Sequence, residues 1–143
     1  IKAPEAFIIE ERLKKELDIP VMHDDQHGTA IISSAALINA LEIANKKIEK
    51  VKVVVSGAGA SAQSCMKLYL SLGVKKENIF MFDSKGLIHA ERTDLDKNKK
   101  FFARHKQAVR FEDASKKAEV FLGISKGGIV FSTNCCIDFS SVG

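Results

Sequence analysis

The sequence predicts an α/β fold built on a doubly wound parallel sheet, and three observations predict it. Val51-Lys52-Val53-Val54-Val55 is a short β-branched run of the kind that forms a central parallel strand. It passes directly into Ser56-Gly57-Ala58-Gly59-Ala60-Ser61-Ala62, a glycine-rich turn opening a helical pattern that lasts to about Leu72. A second apolar run, residues 78–82, follows and ends at Asp83. Strand, turn, helix and strand therefore come in the order of one βαβ unit.

Ahead of that unit, Pro4 is placed to open a helix over residues 5–17, with Phe7, Ile8, Leu13 and Leu17 on one side and charges on the other. Asp18-Ile19-Pro20 breaks it. Val21-Met22 reads as a short extended piece, and His23-Asp24-Asp25-Gln26-His27-Gly28 as a polar loop before a helix over about residues 29–44. That helix is apolar almost all round, which predicts burial, and Ser33, Ser34 and Ala35 allow close packing. Gly73 closes the helix after the glycine turn. Residues 87–109 are polar and read as a loop with a helix, 111–117 as a short helix, and 118–124 as a third strand. There is no internal repeat and no low-complexity segment.

With 143 residues, 45% of them hydrophobic, the chain suffices for one compact domain and not for two. The net charge of +4 raises the question of nucleic acid, but Lys46-Lys47, Lys75-Lys76 and Lys116-Lys117 are pairs beside acids on helix ends. That is a charge-mixed, solvated surface, and no nucleic-acid partner is expected. The stretch Lys97-Asn98-Lys99-Lys100 is interrupted and lies beside Asp94 and Asp96, so it is assigned no function. Cys65, Cys135 and Cys136 form neither a disulfide framework nor a zinc-ligand spacing, and a reducing cytosol fits them best. No apolar run approaches the roughly 18 to 20 residues that span a bilayer, and no signal-peptide layout precedes the first helix. The start at Ile1 rather than Met leads us to expect an excised, processed or incomplete product.

The glycine turn carries the first functional expectation. A dinucleotide needs its pyrophosphate against a helix N-terminus, where free backbone N–H groups and the dipole favour an anion. Gly57 permits the tight turn, Gly59 admits the phosphate without a Cβ in the way, and Ala62 takes the third, small position of the Rossmann-type fingerprint. Gly57, Ala58, Gly59, Ala60 and Ser61 are thus candidate cofactor-binding residues, with Asp83 as acceptor for the adenosine ribose. The plainer alternative is a sharp strand-to-helix turn and an Asp83 that only caps Ser84-Lys85-Gly86. The cofactor stays open between NAD and NADP, because the Asp83 carboxylate suits the former while the Lys85 cation beside it suits a 2′-phosphate.

Asp24 and Asp25 stand together between His23 and His27, and two adjacent carboxylates call for a neutralising charge. A divalent metal would supply it: Mg²⁺ or Mn²⁺ if oxygen ligands dominate, zinc if both histidines join. The alternative is that the pair caps the following helix and binds nothing.

The string Val21-Met22-His23-Asp24-Asp25-Gln26-His27-Gly28-Thr29-Ala30, then Val55-Ser56-Gly57-Ala58-Gly59-Ala60, then Asp83-Ser84-Lys85-Gly86, closely resembles bacterial-type malic enzymes, the NAD(P)-dependent, oxaloacetate-decarboxylating malate dehydrogenases. The opening Ile1-Lys2-Ala3-Pro4-Glu5-Ala6-Phe7 is similar to the same family, and the match runs to about Gly128. The resemblance implies oxidative decarboxylation of malate to pyruvate and CO₂ with reduction of NAD(P)⁺. It also implies Mg²⁺ or Mn²⁺ as the metal that steadies the enolate formed as CO₂ leaves. Asp25 matches a metal ligand of the family, and Asp24 is assigned beside it as a catalytic, substrate-side carboxylate. Residues 1–27 would then be the end of the malate- and metal-binding region, and 28–143 an incomplete Rossmann domain. A cytoplasmic homo-oligomer is implied for the full-length enzyme.

The resemblance has gaps. The family's Glu-Asp ligand pair precedes the position of Ile1, and its catalytic tyrosine and lysine lie further upstream. Neither Tyr69, inside the helix after the glycine turn, nor Lys2 occupies those positions. From Ile129 to Gly143 the sequence leaves the family pattern, which would continue to another helix, a strand and an Asn-Pro motif. Two other readings follow: a nucleotide-binding fragment without turnover, or another Rossmann dehydrogenase, which leaves Asp24-Asp25-Gln26-His27-Gly28 unexplained.

Overall fold

The computed structural model describes residues 5–103 and 108–124. Pro4 as a helix opener, Lys2, the Cys135-Cys136 pair and the divergent segment from Ile129 lie outside the described residues.

A four-stranded sheet runs in the order β3-β2-β1-β4, with β1 Val53–Ser56, β2 Ile79–Asp83, β3 Gly86–Leu87 and β4 Val120–Gly123. Strand β1 is parallel to β2 on one side (Val53 opposite Ile79) and to β4 on the other (Val53 opposite Val120). The chain leaves β1 toward β2 and returns to its other side for β4, so the strand order reverses at β1, as a doubly wound sheet requires. Val53, Val54 and Val55 are fully buried. A strand covered on both faces needs an unbroken apolar run, which is why β1 lacks alternation.

The two faces are filled differently. Val53, Val55, Ile79 and Met81 pack with helix α2 (Asp24–Ile43) and helix α3 (Ala60–Leu72). Val54, Phe80, Phe82 and Phe121 pack on the other face with Phe111 of helix α5 (Phe111–Ser115). Phe111 meets Phe82 and Phe121 edge to face, at centroid distances of 5.1 and 6.0 Å. Helix α3 buries Ala62, Cys65, Met66 and Tyr69 at helical spacing, and Tyr69 is a core residue whose hydroxyl donates to the Ser33 carbonyl. The helix ends where Gly73 adopts φ 116°, with Gly73 N–H donating to Leu70 O and Val74 N–H to Tyr69 O, the two hydrogen bonds of a Schellman turn.

Three expectations need correction. Strand β3 is a short antiparallel edge where the expected Ser84-Lys85-Gly86 turn meets the segment expected as loop and helix; α4 (Lys97–Phe102) supplies the helix. Helix α2 begins at Asp24 instead of Thr29. It also buries one stripe, Gln26, Ala30, Ser34, Leu37 and Leu41, while Ile31, Ile32, Ile38 and Ile43 are exposed, so it is not covered all round within the described residues. No helix of the described residues is long and apolar enough to cross a membrane.

The early start of α2 has a tertiary cause. Glu10 of helix α1 (Glu5–Glu16) is buried, and its carboxylate accepts from His27 Nε2 at 2.8 Å and from the His23 N–H at 3.4 Å, with Lys14 Nζ at 2.8 Å. Those contacts hold His23, the residue capping α2, and the first turn of the helix in place. Asp24 and Asp25 lie inside that first turn, and His23 makes no side-chain cap bond. The pair therefore does not cap the helix by hydrogen bonding; it gains from the positive end of the helix dipole.

Candidate functional site

Strand β1 delivers the chain to Gly57, whose φ of 122° lies where a side chain is strained and glycine is not. The Gly57 N–H donates to Phe82 O at 2.9 Å, which ties the turn to the end of β2. Gly59 caps α3 in an extended conformation, and a Cβ built on it would meet no protein atom within 4 Å. That open space at a helix N-terminus is what close approach of an anion needs. Ala62 is fully buried against the core, the packing role that a small third residue serves.

Gly57, Ala58, Gly59 and Asp83 line one cleft of about 600 Å³, together with Gln63, Ser84, Asp96, Asn98 and Lys99. Ala60, Ser61 and Lys85 are not among its lining residues, nor are Asp24 and Asp25. The Ser61 hydroxyl instead donates to the Asp25 carbonyl at 2.6 Å, so the first turns of α2 and α3 touch.

Asp83 sits in a cationic cage. Its carboxylate accepts from Arg92 Nη1 at 2.8 Å and Nη2 at 3.1 Å, from Lys99 Nζ at 2.9 Å and from the Lys85 N–H at 3.0 Å. Burial pushes this carboxyl up, but the Arg92 and Lys99 hydrogen bonds outweigh it and bring it down to about 2. Lys85, the cation expected beside Asp83, turns its ammonium to Asp94 at 2.8 Å. Arg92 also holds Asp94, with Nε and Nη2 each at 2.9 Å, and both neighbours push the guanidinium further up.

Arg92 and Lys99 are residues that sequence reasoning missed, Lys99 inside a stretch given no function. A local signal was present. Asp96 accepts from the Asn98 and Lys99 N–H groups at 2.8 and 2.9 Å, the N-cap that starts α4 and presents Lys99 to Asp83.

Asp24 and Asp25 are both exposed. Gly28 lies against Asp24: a Cβ there would collide with Asp24 Oδ1. Among the described residues, no group of three or more His, Cys, Asp or Glu side chains is placed to hold a metal ion. The described part of the chain can offer carboxylate oxygens to a hard cation, but it does not enclose one.

Comparison with known proteins gives this geometry its context. Residues 26–138 match the family described as malic enzyme, NAD binding domain. The NADP-dependent malic enzyme of Haemophilus influenzae is 53% identical over 130 residues, 90% of this chain and 17% of that protein. The NADP-dependent malic enzyme of Halomonas elongata is 48% identical over 91% of this chain and 31% of its own length. Among solved structures, the NAD-dependent malic enzyme of Thermotoga maritima superposes with a TM-score of 0.81 at 41% identity, covering 92% of this chain and 36% of that one. The chain thus spans under a third of the length of the two sequence relatives it matches. A match over residues 26–138, with a glycine turn and acid-ended β2 in place, establishes that this chain belongs to the malic enzyme NAD-binding domain family.

Proposed function

We propose that this chain is the dinucleotide-binding part of a malic enzyme, which decarboxylates malate oxidatively to pyruvate and CO₂ while reducing a nicotinamide cofactor. The observation that carries the reading is the single cleft shared by Gly57, Gly59 and Asp83 at the N-terminus of α3. A bound dinucleotide supplies the hydride acceptor, and the chain's own task is to seat and orient it. The first-turn N–H groups of α3 take the pyrophosphate, and the open space over Gly59 lets it approach.

The caged carboxylate favours NADP over NAD. All four acceptor positions of Asp83 are occupied by protein donors, which leaves it little capacity for a ribose hydroxyl. Lys99 lines the cleft beside Asp83, and its cation would suit a 2′-phosphate there. In this assignment Asp83 orients the cations and Lys99, rather than Lys85, faces the cofactor.

Asp25 contributes one oxygen ligand to a divalent cation, Mg²⁺ or Mn²⁺, and Asp24 stands on the substrate side; the remaining ligands would come from outside the described residues. Such a cation supplies Lewis acidity at the substrate oxygen. Residues 1–27 belong with the malate- and metal-binding region and 28–143 with the dinucleotide domain, in a cytoplasmic homo-oligomer.

Calorimetric titration of the purified chain with NADP⁺ and NAD⁺ tests the reading. Saturable binding with NADP⁺ tighter by about tenfold is expected. Absence of heat with both cofactors overturns it.

A further inference from the structure

Helices α2 and α3 are joined by three polar contacts: Ser61 Oγ to Asp25 O at 2.6 Å, Ser33 Oγ to Cys65 Sγ at 3.4 Å, and Tyr69 OH to Ser33 O at 3.3 Å. Ser61, Cys65 and Tyr69 recur at every fourth position, so one face of α3 carries all three. Cys65 and Tyr69 are buried within the core, whereas Ser61 stands where the first turns of the two helices meet.

Ser61 has a double position. The first internal bond of α3 runs from Gln63 N–H to Gly59 O, so the Ser61 N–H lies in the first turn and has no partner within the helix. Its hydroxyl owns one proton, and the contact with Asp25 O uses it. The hydroxyl cannot donate to a phosphate at the same time. An anion at the turn is left to the backbone N–H groups, and the side chain leads away to the residue after Asp24.

We propose that Ser61 is a positioning residue that links occupancy of the dinucleotide turn to the first turn of α2, where Asp24 and Asp25 stand. The proposal rests on the dinucleotide reading given above. When the α3 turn is ordered by a bound pyrophosphate, the Ser61 hydroxyl carries that order to the Asp25 backbone and so to the two carboxylates. The cofactor half and the acidic half of the site are then coupled through one side chain.

The test is an amide NMR titration of the 143-residue chain with NADP⁺, in wild type, Ser61→Ala and Ser61→Thr. The Gly57 and Gly59 amides should move in all three. The Asp25, Gln26 and His27 amides should move with the same midpoint in wild type and Ser61→Thr, and at least about fivefold less in Ser61→Ala. Equal movement of the α2 amides in Ser61→Ala overturns the proposal. So does a Ser61→Ala chain whose NADP⁺ affinity falls about tenfold, since the hydroxyl would then be a phosphate ligand. Loss of the folded spectrum in Ser61→Ala would make the contact a folding contact and overturn it too. If Gly57 and Gly59 respond to neither NADP⁺ nor NAD⁺, the dinucleotide reading itself has failed, which is distinct from responding glycines with silent α2 amides.

Discussion

Arg92 grips the Asp83 carboxylate with two nitrogens, at 2.8 and 3.1 Å, where the two side chains are only 10% and 9% exposed. The pair fastens the end of β2 to the loop leading into α4, and so holds one wall of the cleft. Arg92→Ala would leave a buried carboxylate with Lys99 as its one remaining side-chain cation. A loss of about 3 kcal/mol is expected from breaking a buried pair at one partner, read as a lower urea midpoint. Arg92→Ala combined with Asp83→Asn should cost less than the sum of the two single changes. A single-variant loss below about 1 kcal/mol would mean that the pair is solvent-screened.

Acid should unfold the chain through two named carboxylates. Burial pushes Glu10 up, but hydrogen bonds from Lys14, His27 and the His23 N–H win and bring it to about 2, as the cage does for Asp83. The ordinary values are 4.5 and 3.8, so both folded-state values are depressed. Their contribution is present above the ordinary values and is lost as pH falls toward the folded ones. Stability should therefore hold down to about pH 5 and decline steadily toward about pH 2. Glu10→Gln should flatten part of that decline in urea titrations run across the window, and an unchanged profile would remove Glu10 from the account.

Gly59→Val separates fold from cofactor. Its new side chain begins in space that no protein atom occupies, at a φ of −76° that valine tolerates. The midpoint of thermal unfolding should shift by no more than about 1 kcal/mol in equivalent stability, the cost of a poorer N-cap. NADP⁺ affinity should fall by more than about tenfold, because the branched side chain stands where the pyrophosphate must come. Equal affinity in calorimetry would exclude the glycine turn as the phosphate site.

Gly28→Ala sets helix propensity against Asp24. Alanine in a helix interior gains roughly 0.5–1 kcal/mol over glycine, and the atom in its way is the end of the Asp24 side chain, which can turn aside. The chain should lose no stability in urea. In a full-length malic enzyme carrying this segment, the KM for malate should rise by about tenfold as Asp24 leaves its place. Unaltered malate kinetics would show that the Asp24 position does not matter to substrate.

Strand β1, the positive-φ Gly57, the acid ending β2 and the Gly73 stop were all legible, because each follows from a rule local to a few residues. The start of α2 was not. Gly28 argued for a later helix, and the contact that overrides it comes from Glu10, thirteen residues before the His23 cap. The role of Arg92 was hidden for a similar reason, and that of Lys99 was legible only as far as the Asp96 cap that starts α4. They lie 9 and 16 residues beyond Asp83, and neither spacing has a periodic signature.

By itself the sequence determined the doubly wound order of elements, the glycine turn at the head of α3, and a motif string shared with malic enzymes. Periodicity, φ preference and residue size are properties of short segments and survive in a one-dimensional record. Only the tertiary structure decided that the Asp83 acceptors are filled, that Lys85 serves Asp94 while Lys99 reaches the cleft, and that Ser61 holds Asp25. Each of those depends on which of several equally competent polar partners comes within 3 Å. Folding settles that choice by burying apolar faces elsewhere in the chain.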